Sequence, residues 1–480
     1  MSGLDCCKLG KDTDLQKFIE QKLGEYSCEV SERVSALNWL RENIFRVVND
    51  ASWSSRSLHT EATNWLEWAR SREDLKIVTV DVPDGILPKG TKGRLRDVKV
   101  FARHGPDDAL YDCDQDLRER VARGNCFLEV LQQNGELTTI CVIHALKKFT
   151  GGLGDDDDRT SGPDIVWQRY FTQPLDTAKV VLSTKKQNGE AAHLAACRIG
   201  GEAYVCAGSK NVHLIFRSSE DLDMYPLHEP RYKFAREISN CVLEMLGTLS
   251  ESCRVHLIEF LCTTRSTAVF ELLSPDHQHV EDLSELVTPV LKFIAWTSCH
   301  LDSAHYATEF CGLPPDSGIE LAKMFELDTI DYGMISLESS AEHMDSIRLQ
   351  YGVEGEVLFF LDEHWRTIGI LKKKSVWYIL VRAIREKVNT ACVGYSKNPA
   401  AFVRSSHVQK INLRLAEIQH WLQLSDDCVS AWKCLAEKFL AFTVRKLAAN
   451  DFTAADLASN FPVYWKLFLL ETGETDRISF

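Results

Sequence analysis

Three turn signals, each set between apolar runs, constrain this chain more than any other feature. Gln132-Gln-Asn-Gly-Glu136 separates runs 126–131 and 137–146, Gly200-Gly201 separates 191–198 from 202–207, and Asp362-Glu363 interrupts 355–371. Connections this short join antiparallel neighbours, because a parallel return needs a crossover of roughly a dozen residues or more. Further runs at 76–82, 98–102, 179–184, 255–261 and 267–273 read as strands. One amphipathic helix is predicted over 230–250, through Phe234, Ile238, Val242, Leu243 and Leu246. Outside this centre the period is helical. Leu15, Phe18, Ile19 and Leu23 open a helical region ending near residue 72. Residues 409–423, 427–448 and 452–471 are helical again, with Asp451 or Thr453 as cap. A chain of 480 residues exceeds one compact core. The expected division is a helical extension over 1–74, an α+β domain with antiparallel sheets over 75–390, and a helical domain over 391–480.

Composition removes several function classes. No stretch approaches 18 uninterrupted apolar residues, so no membrane partner is expected. The start, Met1-Ser-Gly-Leu-Asp-Cys-Cys-Lys8, lacks the basic-then-apolar order of a signal peptide, so an intracellular place, nuclear or cytoplasmic, is expected. Sixteen cysteines are scattered without any Cys-x-x-Cys pair and read as reduced core thiols. Cys299, His300, His305 and Cys311 form the one metal-like grouping, with irregular spacing. The segment 151–162, with Asp155 to Asp158, reads as a solvated acidic loop without the alternating ligands of a calcium site. A net charge of −14 is not the usual footprint of a nucleic-acid binder, although a local basic groove is compatible with it.

The chemistry concentrates at strand ends. Thr184-Lys185-Lys186-Gln-Asn188-Gly189-Glu190 follows an apolar strand, and alternation sends Lys185 and Lys186 to opposite faces. Alone, such a short pattern is more often a surface turn. Charged residues follow it in order, each at a predicted strand edge: Lys210, Glu271 inside an apolar run, Glu354, then Lys372 and Lys374 on one face. Lysines and acids along one sheet edge suit nucleotidyl transfer. One neutral lysine attacks the α-phosphate, other cations neutralise the phosphoryl oxygens, and the acids hold a divalent metal.

In this order the motifs resemble those of the covalent nucleotidyltransferases, and among them the RNA ligases of the bacteriophage RNA ligase 1 and fungal or plant tRNA ligase type. Lys186-Gln-Asn-Gly189 is similar to motif I, Ser209-Lys210 to the following Ser-Lys segment, and residues 267–280 to motif III. Glu354-Gly355 resembles motif IV, and Lys372-Lys-Lys374-Ser-Val-Trp-Tyr378 resembles motif V. Arg123, in Ala122-Arg-Gly124, and Lys148, in Leu146-Lys-Lys-Phe149, resemble the family's triphosphate contacts. Thr150 departs from the usual aromatic after Phe149, and acidic residues lengthen the loop before motif I.

The resemblance, over roughly 75–390, implies an ATP-grasp-like adenylyltransferase domain and an ATP-dependent RNA ligase acting in tRNA splicing or RNA repair. Lys186 would carry AMP; Lys210, Lys372 and Lys374 would act on the α-phosphate; Arg123 and Lys148 would hold the β- and γ-phosphates. Asn188 and Gly189 would shape the ATP site, Val357 would pack on adenine, and Glu271 and Glu354 would hold Mg²⁺ or Mn²⁺. Alternatives are a GTP-dependent capping enzyme, a DNA ligase, or an inactive RNA-binding relative. Helices rather than five short strands follow motif V, which favours the RNA branch. No phosphate-binding Gly-x-x-x-x-Gly-Lys loop occurs, and none of the 15 histidines has Ser or Thr two residues later. The expectation is therefore sealing of RNA 5′-phosphate and 3′-hydroxyl ends, with separate enzymes preparing those ends.

Overall fold

The computed structural model describes residues 14–25, 33–49, 55–103, 105, 107–152, 154–155, 164–226, 229–301 and 309–480. Helices Leu15–Glu25, Val34–Val48 and Ser55–Arg70 precede the first strand. An antiparallel sheet then forms in simple meander order from β1 (Leu75–Asp81), β2 (Lys92–Val100), β3 (Asn125–Leu131) and β4 (Leu137–His144). β2 starts earlier than the apolar run at 98–102, because pairing with both neighbours holds its polar first half in the ladder. The predicted Asn134-Gly135 turn joins β3 to β4, with Gly135 at φ 83°.

β5 (Val180–Lys185) opens another sheet, which the chain leaves at once. β6 (Glu190–Ile199), β7 (Glu202–Ser209), β8 (His213–Phe216), β9 (Ser266–Leu273) and β10 (Val290–Ser298) make a five-stranded sheet in the order β10-β9-β6-β7-β8. β11 (Tyr332–Ser336), β12 (Gly355–Leu361) and β13 (Thr367–Lys374) return to β5 in the order β11-β5-β12-β13. All ladders between these strands are antiparallel. The molecule is thus mixed α+β with antiparallel sheets and a helical C-terminal region.

Four readings change. The run 255–261 is not a strand but part of helix Glu251–Thr264. Ser250 caps it by accepting the Cys253 N–H at 3.3 Å, and Cys253, Leu257, Phe260, Leu261 and Thr264 are buried at helical spacing. Arg265, left-handed at φ 52°, ends it immediately before β9. The amphipathic helix runs Lys233–Thr248, and Phe234 lies off its buried face, 40% exposed. The last predicted helix is two, Ala454–Ser459 and Phe461–Thr472, divided at Asn460 before Pro462. Of the two cap candidates, Thr453 acts, in a capping box with Asp456. Asp155 is fully buried rather than solvated, while 156–163 lie outside the described residues.

Burial organises these parts around the third sheet. Leu182, Phe359 and Ile370 of that sheet pack against Ala145 and Leu146 after β4, Val269 of β9 and Ala295 of β10. The opposite face of the third sheet has its own core of Val181, Leu358, Phe360 and Ile368 with Trp167. Helix Val376–Lys397 begins one residue after β13 and shares a core with helices Arg404–Leu422, Asp426–Ala448 and Phe461–Thr472. Position 390 falls inside that helix, so the helical core begins at Val376. Among the described residues no helix is long and apolar enough to cross a membrane, and every cysteine is a free thiol.

Candidate functional site

Strand register places the charged residues before any side chain is considered. β5 and β12 pair Thr184 with Val357 and Lys185 with Glu356, and the Lys186 N–H donates to the Gly355 carbonyl at 2.8 Å. β12 and β13 pair Gly355 with Lys374 and Val357 with Lys372. Lys186, Gly355 and Lys374 therefore form one rank across three strands, with Glu354 beside it. Alternation sends Lys186, Lys372 and Lys374 toward the junction of the sheets. Lys185 turns away to Glu281 at 3.5 Å, and Lys373 lies 3.9 Å from Asp155. Glu356 faces the other side, accepting hydrogen bonds from Ser183 and from His343 at 2.7 Å.

Two glycines make the rank close. Gly355 has φ 134°, and a Cβ there would fall 2.1 Å from the Lys373 carbonyl. A Cβ on Gly189 would fall 2.1 Å from the Leu272 carbonyl, so only glycine lets the turn after β5 lie against β9. That approach brings the Gly189 N–H to Glu271 Oε1 at 3.0 Å. Asn188, buried, locks the turn from three sides. Its Nδ2 donates to Glu354 Oε2 at 2.7 Å and to the Tyr378 hydroxyl at 3.0 Å, while its Oδ1 accepts the N–H groups of Val280 and Glu281 at 2.9 and 3.0 Å.

The electrostatics divide the two acids. Lys186 Nζ lies 3.1 Å from Glu354 Oε1, and Lys374 Nζ lies 4.0 Å from the same oxygen. Burial works against the Glu354 carboxylate, but Lys186 and Lys374 prevail and hold its pKa below the ordinary value. Burial pushes Glu271 up to about 7; Lys186 opposes the rise, and the Glu354 charge adds to it. Burial also acts against the Lys186 ammonium, yet Glu354 and Glu271 outweigh it and raise its pKa. The Lys374 amine stands 5.4 Å from the Tyr378 ring centroid.

A second cationic group adjoins the first. Arg123, held by Asp107 at 2.5 Å, shares a cavity of about 290 Å³ with Lys99, Lys210 and Asn211. Lys148 pairs with Asp108 over the Tyr111 ring, and burial followed by the Lys372 charge lowers its pKa. Val357 is half-buried among Leu182, Phe359 and Ile370, in register with Lys372. All eleven residues singled out from the sequence thus fall on or beside the junction, in two linked groups.

Sequence reasoning missed four participants. Glu281 accepts the Glu354 N–H at 2.6 Å, and Asp108 holds Lys148. Asp155 and Arg348 bracket Lys374, with Asp155 Oδ1 accepting the Lys374 N–H at 2.7 Å. Nothing in their spacing marked any of them, since each works through a backbone or charge contact formed only in the fold.

Of the cysteine and histidine grouping noted in the sequence, only Cys299, His300 and Cys311 lie among the described residues. Cys299 Sγ is directed to the Val142 carbonyl at 3.2 Å, and His305 lies outside the described residues. A different buried group, Asp97, Cys126 and His213, has ligand-type atoms within 4.8 Å of one another. Its polar atoms are satisfied internally, with His213 Nδ1 at 2.6 Å from Asp97 and the His193 and His213 rings 3.0 Å apart at their nitrogens.

A family model described as Domain of unknown function (DUF7920) matches residues 98–385, well over half of the chain. The match includes both cationic groups and both acids. No curated protein matches.

Proposed function

The chain belongs to the DUF7920 family, and we propose from its site geometry that it is an ATP-dependent RNA ligase working through a lysyl-AMP intermediate. One observation carries this reading: the rank of half-buried Lys186 with buried Gly355 and Lys374, with Glu354 3.1 Å from the Lys186 amine and Glu271 bound to the motif I turn. A lysine placed between two acids and a second lysine is suited to attack phosphorus while charge is neutralised around it.

In the first step the deprotonated Lys186 amine attacks the ATP α-phosphate; a P–N bond forms and the bond to pyrophosphate breaks. AMP then passes to an RNA 5′-phosphate, and a 3′-hydroxyl attacks that phosphate and expels AMP. Lys210, Lys372 and Lys374 stabilise the α-phosphate oxygens, and Arg123 and Lys148 take the β- and γ-phosphates. Val357 offers an apolar surface to adenine. Glu271 and Glu354 are the groups that would hold Mg²⁺ or Mn²⁺, which would supply charge neutralisation at the phosphates. Their fit is electrostatic: two close carboxylates repel, and Glu271 is pushed to about 7 in consequence of burial and that repulsion.

Arg382 and Arg385, on the helix that follows β13, extend the cationic surface toward RNA; both lie close enough to the Tyr378 hydroxyl for their charges to act on it. The continuous helical region after Lys374, rather than a small barrel, supports the RNA branch over DNA ligases and capping enzymes. The test is incubation with α-labelled ATP or GTP and Mg²⁺, followed by a denaturing gel. ATP should leave a label that survives alkali and is lost in acid, as a phosphoramidate is. Labelling by GTP alone would transfer the assignment to the capping type, and no labelling by either would remove the enzymatic reading.

A further inference from the structure

β13 is an edge strand, and an edge exposes backbone groups that nothing in its own sheet satisfies. In this molecule Thr150, Gly151 and Asp155 lie along that edge. Thr150 forms a parallel bridge with Leu371, and the Lys372 N–H reaches the Thr150 carbonyl at 3.4 Å. A Cβ on Gly151 would lie 2.3 Å from the Lys372 carbonyl, so the covering segment is pressed against the strand.

The segment ends in Asp155, fully buried. Its Oδ1 accepts the Lys374 N–H at 2.7 Å and an Arg348 N–H at 2.7 Å; its Oδ2 accepts a second Arg348 N–H at 2.8 Å. Arg348 in turn donates to the Lys374 carbonyl at 2.9 Å. Both peptide groups flanking the Lys374 Cα are therefore held by one carboxylate–guanidinium fork. On the far side of the strand, Gly355 pairs with Lys374, and Ser375 donates its N–H to the Glu354 carbonyl at 2.9 Å. A buried ion pair gains little net stability, because desolvation offsets much of its attraction. What this pair does fix is the direction in which the Lys374 side chain leaves the strand.

We propose that Asp155 and Arg348 are positioning residues that set the Lys374 amine for the α-phosphate. The inference rests on the lysyl-AMP reading above. It assigns a role to Asp155, whose sequence context suggests only a solvated loop. A displacement of about 1 Å at such a group is enough to lower a rate by about a hundredfold, so a backbone clamp is a sufficient means of control.

The experiment is a double-mutant cycle on single-turnover labelling with α-labelled ATP and Mg²⁺, using the full chain. Asp155→Asn should lower the labelling rate about tenfold or more, with the ATP concentration for half-maximal rate changed by less than about twofold. In the Lys374→Ala background the same substitution should cost less than about twofold, because the group it positions is gone. Equal losses with and without Lys374 would overturn the proposal, and so would a normal rate in Asp155→Asn. If Asp155→Asn shows no cooperative thermal transition, Arg348→Lys takes its place, since it keeps the charge but gives up the fork. A wild-type chain that does not label would overturn the ligase reading and this inference together; a wild-type chain that labels isolates the inference.

Discussion

Glu271 sits where folding and chemistry ask for opposite things. Its carboxyl is neutral in the folded state until about pH 7, whereas in the unfolded chain it ionises near its ordinary value of 4.5. A raised pKa means stability that is full below pH 4.5 and lost as pH climbs through about 7. Glu271→Gln keeps an acceptor for the Gly189 N–H without the charge. We expect it to stabilise the free protein by about 1–3 kcal/mol at pH 8 and much less near pH 5, measured by urea denaturation, while abolishing labelling. Lys186 carries the second residue-scale prediction. Since its acids hold it as an ammonium, the labelling rate should rise with pH across the alkaline range, and Lys186→Ala should end it. Lys185→Ala should be mild, because that amine reaches Glu281 on the other face; equal loss in both variants would refute the assignment. Lys186 over Lys185, and Lys372 and Lys374 over Lys373, were legible in the sequence because strand alternation is local. Asp155 was not. Its burial depends on Arg348 and on Lys374 of β13, 193 and 219 residues further along the chain.

Elements were legible where one signal acted alone. The β3–β4 and β12–β13 hairpins follow from their turns. At 255–261 two signals competed: Val255 and Ile258 suggest a strand, but the Ser250 cap and the spacing of Leu257, Phe260 and Leu261 decide for helix. β8, β10 and β11 carried no clear turn or alternation and were missed. The junction between β13 and the next helix is the element most open to test. Ser375 accepts the Tyr378 N–H at 3.1 Å and donates to the Val353 carbonyl at 2.7 Å, so one side chain caps the helix and anchors the loop before Glu354. Ser375→Ala should cost about 1 kcal/mol in urea unfolding, as removal of a cap does, and should slow labelling as well. Gly355→Ala should be more severe, about 3 kcal/mol or more, because its φ of 134° and its closeness to the Lys373 carbonyl both exclude a side chain. A stable, active Gly355→Ala variant would contradict the packing described for the rank.

The whole chain carries a net charge of −14, yet Lys186, Lys374, Lys210 and Arg123 gather at the sheet junction. On the proposed ligase reading, RNA affinity should fall with rising salt through counterion release at that junction. Replacing Arg382 and Arg385 by Ala should reduce the slope of log affinity against log salt by roughly one for each phosphate that is no longer neutralised. Salt-independent binding would place the RNA elsewhere. The same architecture sets a timetable. β5 emerges from the ribosome and must wait for β11 and β12 before it has its sheet neighbours, while five strands of another sheet are made in between. At ordinary elongation rates that interval is roughly ten to forty seconds. During it the Lys186 side chain has neither Glu354 nor Lys374 beside it, so the constellation proposed for lysyl-AMP formation cannot assemble until the last strand is in place.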